Sequence, residues 1–221
     1  MIRKQTLRIG LVHAVQVAMA PVEAVFKDRW PEVLRMNLLD DSLPADLERD
    51  GGLSEKMTSR IKRLADYCID EGADAVLFTC SAFGAAIERV AKSSPVPVLK
   101  PNEAMFDRAI SSGKKIGMLA SFLPAVEPME AEFYAAAGES GMAATIETLC
   151  IPDALAAAKS GNYALHNQLL VKALPHFHNF DVLMLAHFSM APAFDEIQKN
   201  ISIPVLTSPH AAVEKLKALM S

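Results

Sequence analysis

Asp74-Ala75-Val76-Leu77-Phe78-Thr79-Cys80 and Asp181-Val182-Leu183-Met184-Leu185-Ala186-His187 are two versions of one segment. In each, an aspartate opens a short apolar run without helical period, which reads as a strand buried on both faces. The match extends outward from there. Pro97-Val98-Leu99 pairs with Pro204-Val205-Leu206, Ile9-Gly10 with Ile116-Gly117, and Pro21, Glu23 and Phe26 with Pro128, Glu130 and Phe133. Every pair is 107 positions apart (74 to 181, 97 to 204, 9 to 116, 21 to 128). A single gap-free offset from Ile9 to Leu99 marks an internal duplication, and such a repeat decides the fold before local propensity does.

Each copy carries the same order of elements. In the first, strands are expected at Arg8 to Val15, Val33 to Leu39, Asp74 to Thr79 and Val96 to Leu99, with helices at Pro21 to Trp30, Ser54 to Glu71 and Ala82 to Ala91. The helix after Ser54 has the clearest pattern, with Met57, Ile61, Leu64, Ala65, Cys68 and Ile69 on one stripe. Ser54 stands at its N-cap and Gly72 beyond its end. The second copy repeats the order through Lys115–Ser121, Val126–Ala137, Ala144–Leu149, a helix within Asn162–Leu174, Asp181–Ala186, Ser189–Gln198 and Ile203–Leu206. Strands alternating with helices imply right-handed βαβ units. The fold class is therefore α/β, with two pseudo-symmetric lobes, each a four-stranded parallel sheet flanked by helices. Ligands in such sheets sit beyond the carboxyl ends of the strands, so two facing lobes share one cleft.

Composition narrows the partner. The chain has 221 residues, 51% of them hydrophobic, and 26 acidic against 22 basic side chains, a net charge of -4. With no basic run, it has no electrostatic footprint for nucleic acid. Its apolar runs fall short of the ~18–20 residues that span a bilayer. Arg3, Lys4 and Arg8 before a stretch ending at Ala20 imitate a secretory leader, but His13 and Gln16 interrupt it and the repeat claims the segment. Cys68, Cys80 and Cys150 form an odd set without CxxC spacing, as expected of a protein in a reducing cytoplasm. Neither GxGxxG nor a P-loop is present, and His176 and His178 have no third ligand near in sequence, so no cofactor or metal is expected.

The residues just after each strand are the site candidates. Cys80 precedes a predicted helix, where unpaired amides and the helix dipole favour thiolate. His187 is its mate at the 107 offset, so the two side chains are expected to converge as catalytic groups. Ser81, Phe188 and Ser189 follow them and are expected to bind substrate with nearby backbone amides. His13 and Ser121 at the first-strand ends, and Ser42 after the second, complete the substrate-binding candidates. Cys68, on a helix's apolar face, reads as packing, as does Cys150.

The segments Leu77-Phe78-Thr79-Cys80-Ser81-Ala82-Phe83-Gly84 and Leu185-Ala186-His187-Phe188-Ser189-Met190 resemble the two cysteine motifs of the aspartate/glutamate/hydantoin racemase superfamily. The resemblance runs over essentially the whole chain. It implies two pseudo-symmetric lobes, no cofactor, a homodimer, and a thiol from each lobe flanking the substrate's α-carbon. It also implies that the last helix (Ser208 to Met220) returns to the first lobe and that the helix from Asn102 to Ser112 belongs to the second, giving residues 1–100 plus 207–221 as one lobe and 101–206 as the other. His187 departs from the pattern, since the racemases carry a second Cys there. A thiolate at Cys80 with a protonated His187, at an ordinary pKa of ~6.5, would supply the two groups that inversion needs. The expected activity is racemisation or epimerisation of an acidic amino acid or related carboxylate. The alternatives are a one-Cys decarboxylase or cis–trans isomerase of the same superfamily, or a carboxylate-binding protein without catalysis.

Overall fold

The computed structural model describes residues 6–221, so Arg3 and Lys4 lie outside the described residues. Strands β1 (Arg8–His13), β2 (Leu34–Leu39), β3 (Ala75–Phe78) and β4 (Val98–Leu99) form a parallel sheet in the order β2-β1-β3-β4. Strands β5 (Lys115–Ala120), β6 (Thr145–Cys150), β7 (Val182–Leu185) and β8 (Val205–Thr207) form a second parallel sheet in the order β6-β5-β7-β8. The duplication persists in the register: Ile9 pairs with Ala75, and Ile116 with Val182. All of β3 and all of β7 is buried. That burial on both faces explains why neither strand alternates in hydrophobicity.

Helices α1 (Met19–Arg29), α3 (Glu55–Asp70), α4 (Gly84–Ala91), α6 (Val126–Glu139), α8 (Tyr163–Lys172) and α9 (Phe194–Asn200) stand where helices are expected. The Ser54 hydroxyl accepts the Met57 N–H at 3.1 Å, and Gly72 takes φ of 83°, so α3 is capped at both ends as its sequence directs. Two boundaries differ. The predicted helices from Ala82 and Ser189 open instead with 3₁₀ turns, Ser81–Phe83 and Phe188–Ala193, and α-helix follows only from Gly84 and Phe194. In the second turn Pro192 has no N–H to donate, which delays the regular ladder. Helices α2 (Leu43–Arg49) and α7 (Pro152–Lys159), one after the second strand of each sheet, have no counterpart in the sequence reading.

Helix α5 (Glu103–Ser112) follows the first sheet, yet buries Met105, Phe106, Ala109 and Ile110 with Ile116, Met118 and Val182 of the second. Helix α10 (Ser208–Leu219) follows the second sheet, yet buries Ala212, Val213 and Leu216 with Ile9, Leu11 and Leu77 of the first. The chain thus crosses between the sheets twice, and α5 and α10 pack on each other. An Arg108–Glu214 ion pair and Lys215, 3.0 Å from both Glu103 and Asp107, tie these two helices at the surface. Among the described residues, no helix is long and apolar enough to cross a membrane.

Gly10 and Gly117, mates across the repeat, show why both copies kept glycine in the first strand. A Cβ at Gly10 would meet the Cys68 Cβ of α3 at 2.7 Å, and one at Gly117 would run into the Phe177 ring. Each glycine lets a helical layer lie directly on its sheet. Gly117→Ala should therefore overpack this contact and cost ~1–3 kcal/mol. Thermal unfolding should show a midpoint lower by ~2–4 °C for each kcal/mol lost. An unchanged midpoint would mean that Phe177 moves aside freely.

Candidate active site

The carboxyl ends of β3 and β7 point at one cavity of about 100 Å³ between the two sheets. Cys80 and His187, each two residues past its strand, both line it. So do Ser81, Ser121, Phe188 and Ser189. The structure therefore brings together six of the residues singled out from sequence. Ser81, Ser121, Phe188 and Ser189 are each buried as well.

Two candidates stay away. His13 is fully buried, its Nδ1 at 2.9 Å from Thr79 Oγ1 and its Nε2 at 2.9 Å from Asn37 Oδ1. Asn37 accepts from Nε2–H, so Nδ1 receives the Thr79 hydroxyl proton, and the ring acts behind the cavity wall. Burial lowers its pKa, which keeps the ring neutral. Ser42 is an exposed turn residue. Its hydroxyl donates to Asp40 at 2.9 Å and accepts from the Arg60 guanidinium at 2.6 Å, within a network that also holds Asp46. That ion-pair network consumes Ser42 in fastening α2 to α3, and Ser42 does not line the cavity.

Sequence reading missed Asn102 and Lys159. Asn102 lines the cavity from the junction before α5 and is fully buried. Lys159, the last residue of α7, is the only cationic side chain lining it among the described residues, and no carboxylate does so. Asn102 stands three residues past β4, beyond the positions immediately after a strand, and Lys159 lies on α7, which was not foreseen. Its Ala-rich sequence, Pro152-Asp153-Ala154-Leu155-Ala156-Ala157-Ala158-Lys159, carries too thin an apolar stripe. Helix α2 escaped for the same reason. Pro44 and Leu47 of α2, with Leu155 of α7, wall the cavity with apolar surface.

That dry wall reverses the protonation expected at a helix N-terminus. Loss of water pushes the Cys80 thiol up to about 11, although the Ala82 backbone N–H partly opposes the shift. The 3₁₀ turn after Cys80 aligns too few peptide dipoles to compensate. Burial likewise pulls His187 down to about 4. Thiolate and imidazolium, the forms expected from sequence, are therefore not the resting forms; at neutral pH the site holds S–H and a neutral ring. The Phe122 backbone N–H donates to His187 Nε2 at 3.2 Å, which leaves the ring proton on Nδ1. Cys68 is buried and also raised to about 11, and Cys150 is raised too, so none of the three thiols is activated.

The sequence-family model for Asp/Glu/hydantoin racemases matches residues 27–149. The chain belongs to that family. No curated protein matches it in sequence. Among solved structures it is similar to a glutamate racemase from Bacillus anthracis, at 16% identity and a TM-score of 0.75 over 98% of this chain and 82% of that one. It is also similar to an aspartate racemase from Picrophilus torridus, at 18% identity and a TM-score of 0.73 over 96% and 94%. A liganded mutant of arylmalonate decarboxylase superposes with a TM-score of 0.66 at 17% identity over 97% and 92%. At these identities the likeness is one of fold, and racemases and a decarboxylase share it.

Thiol protonation in the native protein can be measured directly. Thiolate absorbance of the native protein should show no cysteine titrating between pH 6 and about pH 8, because Cys68 and Cys80 sit near 11 and Cys150 is raised above its ordinary value. Iodoacetamide at neutral pH should alkylate Cys80 far more slowly than the same residue in unfolded chain. A native thiol titrating below about pH 8, mapped to Cys80, would contradict the desolvation account.

Proposed function

We propose that the chain is a cofactor-independent racemase or epimerase acting at the α-carbon of an acidic amino acid or related carboxylate. The observation that carries this reading is the convergence of Cys80 and His187, from equivalent ends of two duplicated sheets, on one cavity. Lys159 supplies the positive charge for an anionic ligand, and Ser81 and Ser189 offer hydroxyls and backbone N–H groups. The neutral resting forms assign the roles. The imidazole, unprotonated above about 4, gives up the Phe122 hydrogen bond and removes the α-proton through Nε2 as the C–H bond breaks. The thiol, protonated below about 11, gives its proton to the carbanion from the opposite face. The turnover ends with imidazolium and thiolate, which return to the neutral pair by proton exchange. The reverse reaction starts from that charged pair, so the two directions are chemically unequal.

A second reading draws on the Phe122 hydrogen bond. With Nε2 held by a main-chain N–H, His187 is a fixed neutral donor through Nδ1, and Cys80 is the single proton-transfer group. A protonated thiol suits the one-Cys decarboxylase of this superfamily: loss of CO₂ leaves a carbanion, and the S–H protonates it.

Single enantiomers of aspartate and glutamate, and an aryl-substituted malonate, incubated in heavy water, separate the readings. Deuterium at the α-carbon with optical rotation decaying to zero supports the racemase. Release of CO₂ supports the one-Cys enzyme, and binding without exchange supports a carboxylate-binding protein. For the racemase, Cys80→Ala and His187→Ala should each lower inversion ~10²–10⁴-fold. kcat/KM should be level from about pH 6 to about pH 9, because neither group titrates there. His187→Ala that inverts substrate as fast as the parent would remove His187 from the chemistry.

A further inference from the structure

We propose that Asn102 holds the substrate's carboxylate, with its Nδ2 hydrogens donated into the cavity. The assignment rests on reading this cavity as a carboxylate site, and it adds a residue that neither the repeat nor the cysteine motif marks.

Asn102 stands at the N-cap of α5, where an asparagine ordinarily accepts a backbone N–H from the first turn. Here its side chain makes no capping bond. Oδ1 instead accepts the Ser208 hydroxyl at 2.6 Å. Ser208 is the first residue of α10 and is fully buried. The two residues thus meet where the chain makes its two crossings between sheets, and each starts the helix that crosses. With Oδ1 engaged, the amide plane is fixed and Nδ2 is turned away from Ser208. Nδ2 has no hydrogen-bond partner, although Asn102 is fully buried and lines the cavity. Ser121 Oγ, at the end of β5, is a second buried atom without a partner on the same cavity.

Folded proteins rarely leave a buried donor unpaired, and those that do commonly reserve it for a ligand. Two hydrogens on one fixed nitrogen suit an oxygen-rich, negatively charged group. The surroundings agree in sign, since Lys159 is cationic and no carboxylate lines the cavity among the described residues. The same donor has a use in the reaction. When the α-proton leaves, negative charge spreads onto the carboxylate oxygens, and a donor already aimed there binds the transition state more tightly than the ground state. Asn102 would then contribute to kcat as well as to binding.

The test is a titration of ¹⁵N-labelled full-length protein with succinate, with its uncharged analogue succinamide as control. The side-chain N–H₂ pair of Asn102, assigned in the parent and absent in Asn102→Asp, should shift saturably with succinate and stay in place with succinamide. Asn102→Asp keeps the shape but puts an acceptor where the donor was, so it should weaken succinate binding by more than about tenfold. Ser208→Ala frees the amide to rotate and should weaken binding less. With an enantiomer that the parent turns over, Asn102→Ala should lower kcat ~10²–10³-fold. If succinate shifts the Ser81 and Ser189 backbone amides while the Asn102 pair stays still, the assignment fails and the carboxylate reading stands. If no amide lining the cavity responds, both fail. Tighter succinate binding by Asn102→Asp would show that the free end of this amide is an acceptor, and would overturn the proposal. The parent titration needs no variant, so it decides the matter even if Asn102→Asp does not fold.

Discussion

Everything in this molecule depends on the central strands of two parallel sheets being buried on both faces. A strand covered by helices above and below cannot present unpaired polar side chains along its length. The polar residues that line the cavity therefore stand past the strand ends. β3 and β7 obey this strictly: their four positions are all buried, and the polar residues begin at Thr79 and His187. The duplication then provides a second set of strand ends, and the two crossings of the chain through α5 and α10 hold both sets against one cavity.

The same dryness governs the chemistry. Pro44, Leu47, Val15 and Leu155 line the cavity with apolar surface, so water is scarce around the two central groups. A thiol and an imidazole in such a place both prefer their neutral forms, the first by a rise to about 11 and the second by a fall to about 4. This is a state in which one group can accept a proton and the other can give one, provided the ligand enters. An entering anion brings its own charge into a cavity whose only cation is Lys159 among the described residues, which further disfavours thiolate and favours imidazolium. Ligand binding and protonation state are therefore coupled.

The architecture was legible in sequence because a repeat is a long-range signal. The offset between Asp74 and Asp181 located six of the eight strands, including β4 and β8, which are too short to stand out by propensity; β2 and β6 stand 111 positions apart, so the repeat is not gap-free there. It also paired Cys80 with His187, and that pairing is what the cavity displays. Three things were not legible. Helices α2 and α7 are short, and α7 is rich in alanine, so neither showed a face. Asn102 looked like an ordinary helix start, because its free Nδ2 is visible only once Ser208, 106 residues away, is seen to occupy Oδ1. The ionisation of Cys80 was misjudged because position at a helix start is a local property, whereas desolvation depends on α2 and α7 closing over it. Ser42 and His13 fell out for a related reason, each being used by neighbours distant in sequence, Arg60 and Asn37.

The central claim is that Cys80 and His187 face each other across one cavity. A His187→Cys variant, given repeated additions of a short bifunctional maleimide in its native state until the slow reaction of the protonated Cys80 is complete, tests this most directly. Peptide mapping should recover the introduced thiol joined to Cys80 within a single chain, with the buried Cys68 unmodified. Two thiols each capped separately, or a bridge only between chains, would place the groups in different environments and contradict the account.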